Sequence, residues 1–569
     1  MFDNMSKRYQ QLANWQKAGL IGLAICLFSL ALLLPQLKTG SVIAGSDFLF
    51  HYNRFYETAE QLKTGNFSYF ISLYGFSGSA RIVNALYGPY FAYVQGFILL
   101  LSKTWYGYQL VSRFLVASLA GFSMYALLRR VAIRRRTSLL VALLFMTTFS
   151  IQYWSYRQGF SSWGAALMPW CLIPAIDFLK TGQVKVLRLA IAVALMTQVH
   201  MLSAFMLILM YLPFYLYGFI KSQEKVQVIL KGLLAVVLCL LLSANIWAAM
   251  IQVAGHNTLV QPFINAKLYI MTVNQRSIEW LITPLPLLFI LLYALSFSFR
   301  HWRHYDGLLR VTTATFFMFL VLSSSIFPWY EVNKLQLGLV NLIQFPFRLF
   351  IPTTILLLLL MALIIERYFE RKHARFLLCL LLLATSFAYG QTYKQSMAKI
   401  NISRPVKNGK HQFVLGTNAQ VRESFHSQDL SDLLNVVVKS TPDYLPMQKG
   451  NTENKYNLYE KHVLANRTAF QEEQVGDSLR VTWTADKAGK VDLPIVKYRD
   501  TRLVLNGKEL TSSDYSQTGI GTVSVMQKAG ENTLEVTYRV SWLPYLLVAN
   551  GFMWLLCLFY CLYQKLKKA

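Results

Sequence analysis

The chain has 569 residues, of which 55% are hydrophobic and 14% charged, and its mean hydropathy is +0.38. Soluble globular domains carry about 25% charged residues, so this composition excludes that class and indicates an integral membrane protein. The net charge of +28 does not indicate nucleic-acid binding. The basic residues cluster in short loops between apolar runs, which is the pattern of cytoplasmic loops in membrane proteins.

The cysteines all lie within apolar stretches, and none has the spacing of metal ligands. They are Cys26, Cys171, Cys239, Cys379, Cys557 and Cys561. We therefore expect neither a disulfide framework nor a zinc site. A hydrophilic C-terminal region without cysteine fits a bacterial envelope, a Gram-positive surface being one case.

The N-terminus places Lys7, Arg8 and Lys17 before an apolar run over residues 18–37. This run is longer than the core of a signal peptide, which has about 7–15 residues. We expect an uncleaved membrane anchor. The alternative is a signal peptide cleaved after Val42-Ile43-Ala44, which resembles a cleavage site.

Charge alternation predicts the topology. With the N-terminus in the cytoplasm, the first helix takes the chain to the outer side. The basic loop 129–136 is expected to be cytoplasmic, so one further span must return the chain before residue 129. We assign this span to residues 106–128. The aromatic run 87–101, broken by Gly88-Pro89, is then a helix in the outer interface, inside an outer loop over residues 38–105.

The remaining basic loops continue the alternation and predict about 12 spans with both termini in the cytoplasm. These loops are residues 180–188, 221–231, 300–310, 366–375 and 565–568. The outer segments are 151–163, a turn near His200, 254–279, 328–347 and the region after 389. The run 189–220 is too long for one spanning helix and short for two, so its contribution to the count is one or two spans.

Residues 391–541 are polar and show the alternating pattern of strands at 478–484, 502–505, 522–526 and 533–538. Asn506-Gly507 predicts a hairpin, and residues 528–532 predict another turn. The fold class is therefore a polytopic α-helical membrane protein. We predict a transmembrane domain over 1–390, an outer, mainly β, sandwich-like domain over 391–541, and a final membrane anchor with a basic cytoplasmic tail over 542–569.

Asp47 is the first candidate for chemistry, because it follows the first span and acids are scarce, 27 Asp and Glu against 55 Lys and Arg. His51 lies four residues later, on the same face of a predicted helix, and Arg54 and Glu57 follow. The structural alternative is a helix N-cap, in which Ser46 or Asp47 accepts hydrogen bonds from free backbone amides.

Other candidates lie at the predicted outer ends of spans. Tyr87, beside Gly88-Pro89, suits a sugar-binding groove, although an aromatic residue anchored in the membrane interface is the alternative. Arg348 could bind a lipid phosphate or simply extend to the membrane surface. Similar positions are held by Arg157, His200 and Arg276, and for His200 a packed structural histidine is the alternative.

Several motifs that mark common functions are absent, which narrows the possible functions. The sequence has no nucleotide-binding P-loop, no dinucleotide fingerprint and no zinc-protease motif. The predicted spans contain almost no acids, which disfavours ion-coupled transport.

Four segments resemble bacterial YfhO-like proteins and the membrane proteins labelled "6-pyruvoyl-tetrahydropterin synthase-related", although the sequence has no pterin site. They are residues 46–54 (Ser-Asp-Phe-Leu-Phe-His-Tyr-Asn-Arg), 87–89 (Tyr-Gly-Pro), 344–348 (Gln-Phe-Pro-Phe-Arg) and 442–446 (Pro-Asp-Tyr-Leu-Pro). The layout of spans and outer loop resembles the GT-C superfamily of membrane glycosyltransferases. Enzymes of that superfamily carry an acid in the first outer loop, often as one of a pair, whereas here Asp47 stands alone and His51 lies where a second acid is looked for.

The resemblance implies a glycosyltransferase at the outer face of a bacterial plasma membrane. It would move a sugar from a polyprenyl-phosphate donor to an envelope polysaccharide or teichoic-acid-like acceptor, with inversion at the anomeric carbon. We expect Asp47 to act as the general base, assisted by His51, or to help hold a divalent cation, Mg²⁺ or Mn²⁺.

The other site residues follow from the same expectation. Arg348, with Arg276 or Arg157, would neutralise the donor phosphate. Four residues are assigned to the substrate groove, namely Arg54, Glu57, Tyr87 and His200. The alternatives are a transporter or flippase for a lipid-linked glycan and a non-catalytic envelope scaffold.

Overall fold

Helices form most of the protein in this computed structural model, which describes residues 12–335, 337–448, 450 and 452–567. Lys7, Arg8 and Lys568, used in the topology prediction, lie outside the described residues. The helices are α1 (Asn14–Thr39), α2 (Phe48–Thr64), α3 (Pro89–Ser102), α4 (Trp105–Arg130), α5 (Arg135–Thr147), α6 (Phe149–Arg157), α7 (Ser161–Cys171), α8 (Ile173–Thr181), α9 (Val186–Val199), α10 (Met201–Lys221), α11 (Lys225–Leu242), α12 (Ala244–His256), α13 (Glu279–Ile282), α14 (Pro286–His301), α15 (Gly307–Ser323), α16 (Trp329–Lys334), α17 (Gly338–Ile343), α18 (Phe350–Tyr368), α19 (Arg371–Lys399), α20 (Asn418–His426), α21 (Ser431–Val436), α22 (Lys455–Tyr459) and α23 (Leu543–Leu566).

Nine helical segments of the described residues are long and apolar enough to cross a membrane. They are α1, α4, α5 with α6, α7 with α8, α10, α11, the run Pro346–Tyr368 that ends in α18, α19 from Arg375, and α23. The shortest, Lys225–Leu242, has 18 residues and is about 27 Å long, close to the hydrocarbon thickness of about 30 Å. The fold is that of a helical membrane protein with a C-terminal β-rich region.

Three shorter helices lie where the remaining predicted spans were placed. These are α9, α14 and α15, with 14, 16 and 17 residues. The run 189–220 is divided at His200, whose Nδ1 accepts the backbone N–H of Ser203 at 3.2 Å and so caps α10. The count of about 12 spans stays a prediction.

The outer loop contains α2 and α3, which pack against each other. Thr58 Oγ1 donates to the carbonyl of Ala92 at 2.9 Å, and Gly96 allows the close approach because a Cβ there would collide with Thr58. Helix α3 has 14 residues and is only about 21 Å long. This length agrees with an interfacial helix, but α9 is equally short, so the interfacial position of α3 stays a prediction.

Helices continue beyond two predicted boundaries. Residues 151–163 were expected to be an outer loop, but α6 follows α5 directly and ends at Arg157. Its Ile151, Trp154 and Tyr156 are buried against the helical core, and this packing stabilises helix where the polar sequence indicated a loop. Helix α19 similarly continues past residue 391 to Lys399.

The predicted cytoplasmic loops meet at one end of the helices. Asp177 is fully buried and pairs with Arg130, with Lys185 at 3.3 Å and with Arg188 at 3.1 Å. Two further ion pairs join this end, Arg134–Glu366 at 3.0 Å and Arg367–Asp306 at 2.6 Å. Four separate basic loops are thus tied together.

The C-terminal region contains β1 (Gln412–Val414), β2 (Val437–Lys439), β3 (Gln471–Val475), β4 (Ser478–Ala485), β5 (Gly489–Val496), β6 (Arg502–Leu505), β7 (Lys508–Glu509), β8 (Tyr515–Gln517), β9 (Thr522–Gln527) and β10 (Gly530–Thr537). Two antiparallel sheets, ordered β3-β4-β10-β6-β7 and β5-β9-β8, lie beside the small β1-β2 pair. The first sheet contributes Leu479 and Leu534, and the second Val523 and Val525, to one core. This arrangement is sandwich-like.

The core of the β-rich region also includes the outer loop. Phe70, Ile71 and Leu73 belong to the same buried cluster as the sheet residues, and the rings of Phe70 and Tyr538 lie 4.6 Å apart. The β-rich region therefore packs directly on the loop that carries α2.

Candidate functional site

Asp47 is the residue immediately before α2, and α6 fixes its position. Its backbone N–H donates to the carbonyl of Arg157 at 3.1 Å, and the preceding Gly45 N–H donates to Gln158 Oε1 at 2.7 Å. A Cβ on Gly45 would collide with the backbone of Tyr156 and Arg157, so only glycine permits this approach.

The Asp47 carboxylate does not cap α2. It makes no side-chain bond to the free amides of the helix and accepts a hydrogen bond from Ser46 Oγ at 2.9 Å. Within the described part of the chain, no basic side chain lies within the 4.0 Å of an ion pair with it. The half-buried carboxylate is therefore open to a ligand, and the N-cap alternative is wrong.

Three basic side chains approach Asp47. Arg157 donates to Ser46 Oγ at 3.3 Å, and Lys439 Nζ donates to the Ser46 carbonyl. Asp47 lies close enough to act electrostatically on both Arg348 and Lys439. Positive charge thus exceeds negative charge around this carboxylate, as in an anion-binding site.

Arg348 is held by aromatic rings rather than by an acid. Its guanidinium lies 4.9 Å from the ring centre of Trp154 and 4.8 Å from that of Phe345, and its Nη1 donates to Gln344 Oε1 at 2.8 Å. Its buried Nε has no hydrogen-bond partner among the described residues. A ligand oxygen would satisfy this donor.

Lys439 comes from β2, in the C-terminal region, and was not predicted as a site residue. Burial lowers the pKa of Lys439, while the negative charges of Asp47 and Asp443 oppose that shift. The two carboxylates therefore favour the positively charged form of this half-buried ammonium group.

Asp443, also from the C-terminal region, supplies the second acid that the sequence lacked near Asp47. Burial raises the pKa of its carboxyl group, and the charge of Asp47 raises it further. The basic side chains that oppose this shift are Arg81, Lys455 and Lys439. The sequence signal was the segment 442–446, for which the sequence left open a substrate contact or, as the simpler interpretation, a turn.

His51, four residues after Asp47, lies in a stack of aromatic rings. Its ring is 4.5 Å from that of Phe160, and its Nδ1 lies 3.2 Å from Arg54 Nη1. Burial, followed by the charge of Arg54, lowers the pKa of His51, so the neutral ring accepts a hydrogen bond from the guanidinium. No hydrogen bond joins this ring to the Asp47 carboxylate among the described side chains.

The residues assigned to the substrate groove divide into two groups. Arg54 is fully buried and donates to Asn84 Oδ1 at 2.9 Å and to the Tyr87 carbonyl, so it holds the turn that positions Tyr87. Burial lowers the pKa of Arg54 to about 10. The Arg54 guanidinium lies 4.4 Å from the centre of the Tyr87 ring, and this ring faces that of His51 at 6.0 Å, so Tyr87 borders the site.

Glu57 and His200 make structural contacts. The Glu57 carboxylate, 1% exposed, accepts three backbone N–H groups of residues 73–75. His200 caps α10, and its ring meets the Tyr87 ring edge-on at 6.3 Å. Glu57 thus fixes residues 73–75, and His200 packs against Tyr87.

Arg276 lies apart from this cluster. It is exposed in a short 3₁₀ helix, Gln275–Ser277, whose cap is Asn274. None of the contacts of the described residues joins it to Asp47. The structure thus brings together Asp47, Arg157, Arg348 and Tyr87 from the predicted set, and adds Lys439 and Asp443.

The residues present do not by themselves form a divalent-cation site. No group of three His, Cys, Asp or Glu side chains in the described residues is arranged to hold a metal ion. The basic side chains near Asp47 and Asp443 also compete with a metal for the two carboxylates. We therefore derive no reaction step through Mg²⁺ or Mn²⁺.

Comparison of the chain with models of known families, with curated proteins and with solved structures finds no match.

Proposed function

We propose that this protein is a membrane glycosyltransferase of the GT-C type. It transfers a sugar from a polyprenyl-phosphate donor to a hydroxyl group of a cell-envelope glycan or teichoic-acid-like polymer, at the outer face of a bacterial plasma membrane. The observation that carries the proposal is Asp47, a half-buried carboxylate without an ion-pair partner among the described residues, placed beside an excess of basic side chains.

The reaction is a one-step displacement. The acceptor hydroxyl oxygen attacks the anomeric carbon, the bond from that carbon to the phosphate oxygen breaks, and the hydroxyl proton passes to the Asp47 carboxylate. Attack opposite the leaving group inverts the anomeric centre.

The leaving polyprenyl phosphate gains negative charge as its bond to the sugar breaks. Arg348 and Lys439, with Arg157, would neutralise that charge. The buried, unpartnered Nε of Arg348 supports this assignment, because a phosphate oxygen is the acceptor that such a donor prefers. The rings of Trp154 and Phe345 hold the guanidinium without neutralising it.

A flippase for lipid-linked glycans would share the basic side chains, since it must also bind the phosphate. It would have no need of a carboxylate left open at the place where the sugar meets the acceptor. A scaffold would need neither group. Asp47 therefore distinguishes the three functions.

The test is mass spectrometry of surface polymers from a strain lacking the protein, complemented at equal membrane levels with wild type or with Asp47→Asn. We expect a sugar mass to disappear in the deletion and to return with wild type. Asp47→Asn should restore less than about one hundredth of it, as expected for loss of a general base worth 10²–10⁴-fold. The lost mass identifies the sugar.

Glu60→Gln is the matched control, because Glu60 lies on the same helix and its carboxylate bonds to the solvent-facing Lys63 at 3.3 Å. It should restore the polymer fully. Full restoration by Asp47→Asn would remove the catalytic assignment and favour transport or scaffolding.

A further inference from the structure

The segment 442–446 crosses from the β-rich region to the membrane domain and is fixed on both sides. Tyr444 N–H donates to the carbonyl of Val260 at 2.9 Å, and Val260 N–H donates to the carbonyl of Leu445 at 2.7 Å. On the other side, Tyr498 Oη donates to the Tyr444 carbonyl at 3.1 Å. A segment bonded this way along its backbone presents its side chains in fixed positions.

Arg81 holds the same segment and leaves the Asp443 carboxylate free. This fully buried side chain donates to the backbone carbonyls of Thr441 and Asp443. An arginine beside an aspartate ordinarily binds its carboxylate, but here the guanidinium donates to these two main-chain oxygens and to Thr441 Oγ1 at 3.2 Å. The backbone contacts fix the position of Asp443, and its carboxylate oxygens remain available to a ligand.

The Asp443 carboxylate has no hydrogen bond and no ion pair within 4.0 Å among the described residues. It is half-buried, and a carboxylate partly removed from water needs hydrogen-bond donors. Lys439 and Lys455 act on it only electrostatically. Lys439, four residues before Asp443, donates to the carbonyl of Ser46 beside Asp47, so both carboxylates border one site.

We propose that Asp443 binds the acceptor, accepting hydrogen bonds from the hydroxyl groups of a neutral sugar or polyol unit that lies between Asp443 and Asp47. This inference rests on the proposed glycosyl transfer. A carboxylate offers acceptor oxygens alone, which suit the paired hydroxyls of a sugar and repel phosphate or carboxylate groups. Arg348, with its unpartnered Nε, and Arg157, beside Ser46, would bind the donor phosphate, which leaves the Asp443 oxygens for the acceptor.

This arrangement gives the C-terminal region a part in the reaction. Lys439 on β2 and Asp443 both come from beyond the last helix of the membrane domain, whereas Asp47 and Arg348 belong to that domain. The site is incomplete without either part. The acceptor therefore lies at the junction of the outer region with the membrane domain.

The test uses the purified full-length protein in lipid nanodiscs, with undecaprenyl-phosphate-linked glucose, galactose and N-acetylglucosamine as donors. The acceptor is the surface polymer extracted from the deletion strain. We expect Asp443→Asn to raise the KM for this polymer by about tenfold or more, the loss expected for hydrogen bonds to a charged group. The donor KM should change less than about twofold.

Asp486→Asn is the matched control, since Asp486 is an exposed acid of the same region, in the turn between β4 and β5. It should leave both KM values unchanged. If Asp443→Asn does not accumulate, Asp443→Ser is measured by the same criteria. An acceptor KM within about twofold of wild type for the folded variant overturns the inference while the glycosyltransferase stands. Absence of transfer by wild type with all donors overturns the proposed function, and the inference with it.

Discussion

The carboxylates of Asp47, Glu57 and Asp443 differ in the number of protein donors that they contact. Glu57 accepts three backbone N–H groups at 2.7–2.8 Å and Gln61 Nε2 at 2.6 Å. Asp47 accepts one hydroxyl bond, and Asp443 accepts none among the described residues. A carboxylate whose oxygens all accept hydrogen bonds from the protein stabilises the fold, whereas one with oxygens that lack donors can bind a ligand.

We therefore expect Glu57 to stabilise the folded protein. Glu57→Ala leaves three backbone N–H groups without their acceptor, each at about 1–3 kcal/mol when buried. We expect thermal unfolding in detergent to shift to clearly lower temperature. Glu60→Ala, one helical turn later, loses only its bond to Lys63 and should cost less than about 1 kcal/mol. Equal shifts in the two variants would show that the Glu57 bonds do not support the loop.

At the scale of elements, local sequence patterns predicted the strands and turns well. The strand at 502–505 is confirmed as β6, and the Asn506-Gly507 hairpin is confirmed by left-handed φ values of +50° and +83°. These features depend on side-chain alternation and on the residues of a two-residue turn. Strand alternation and turn residues are both local patterns, which can be recognised within a few residues of sequence.

The candidate site was only half predictable, because its parts come from distant segments. Asp47 and Arg348 could be found from their places at predicted outer ends. Lys439 and Asp443 lie almost 400 residues from Asp47 in the chain, and nothing local marks them as its neighbours. Packing of the β-rich region on the outer loop creates that proximity.

The contact of β3 with the outer loop should depend on pH. The Glu472 carboxyl group lies over Gly78, where any Cβ would collide with it, and burial raises the pKa of Glu472 to about 7. In the unfolded chain this group has a pKa of about 4.3. Between those values the folded protein binds the additional proton, so stability falls as pH rises from about 4.3 to 7 and is constant above that.

Glu472→Gln should remove this fall and raise the unfolding temperature above pH 7, since a neutral amide of similar shape replaces a buried charge. The measurement is the unfolding temperature in detergent from pH 4.5 to 8. Glu473→Gln is the control, because Glu473 is exposed and pairs with Arg480 at 3.1 Å. If the Glu472→Gln and wild-type profiles are parallel, burial of Glu472 does not determine the pH dependence.

At the scale of the whole molecule, charge is divided between two ends. One end carries the ion pairs that join the predicted cytoplasmic loops, centred on the buried Asp177. The other end carries Asp47, Arg348 and the β-rich region. The positive-inside rule predicts that the first end lies in the cytoplasm, and with that orientation the site faces outward.

Cysteine labelling tests this orientation. In a background with the six native cysteines replaced by alanine, we expect Asp486→Cys to react with a membrane-impermeant maleimide in intact cells. Arg303→Cys, exposed in the predicted cytoplasmic loop 300–310, should react only after permeabilisation. Nucleotide sugars are confined to the cytosol, so an outward site needs a donor carried by a membrane lipid. The opposite labelling would place Asp47 in the cytoplasm, where a nucleotide sugar could serve, and the argument for a polyprenyl-phosphate donor would lose its physical basis.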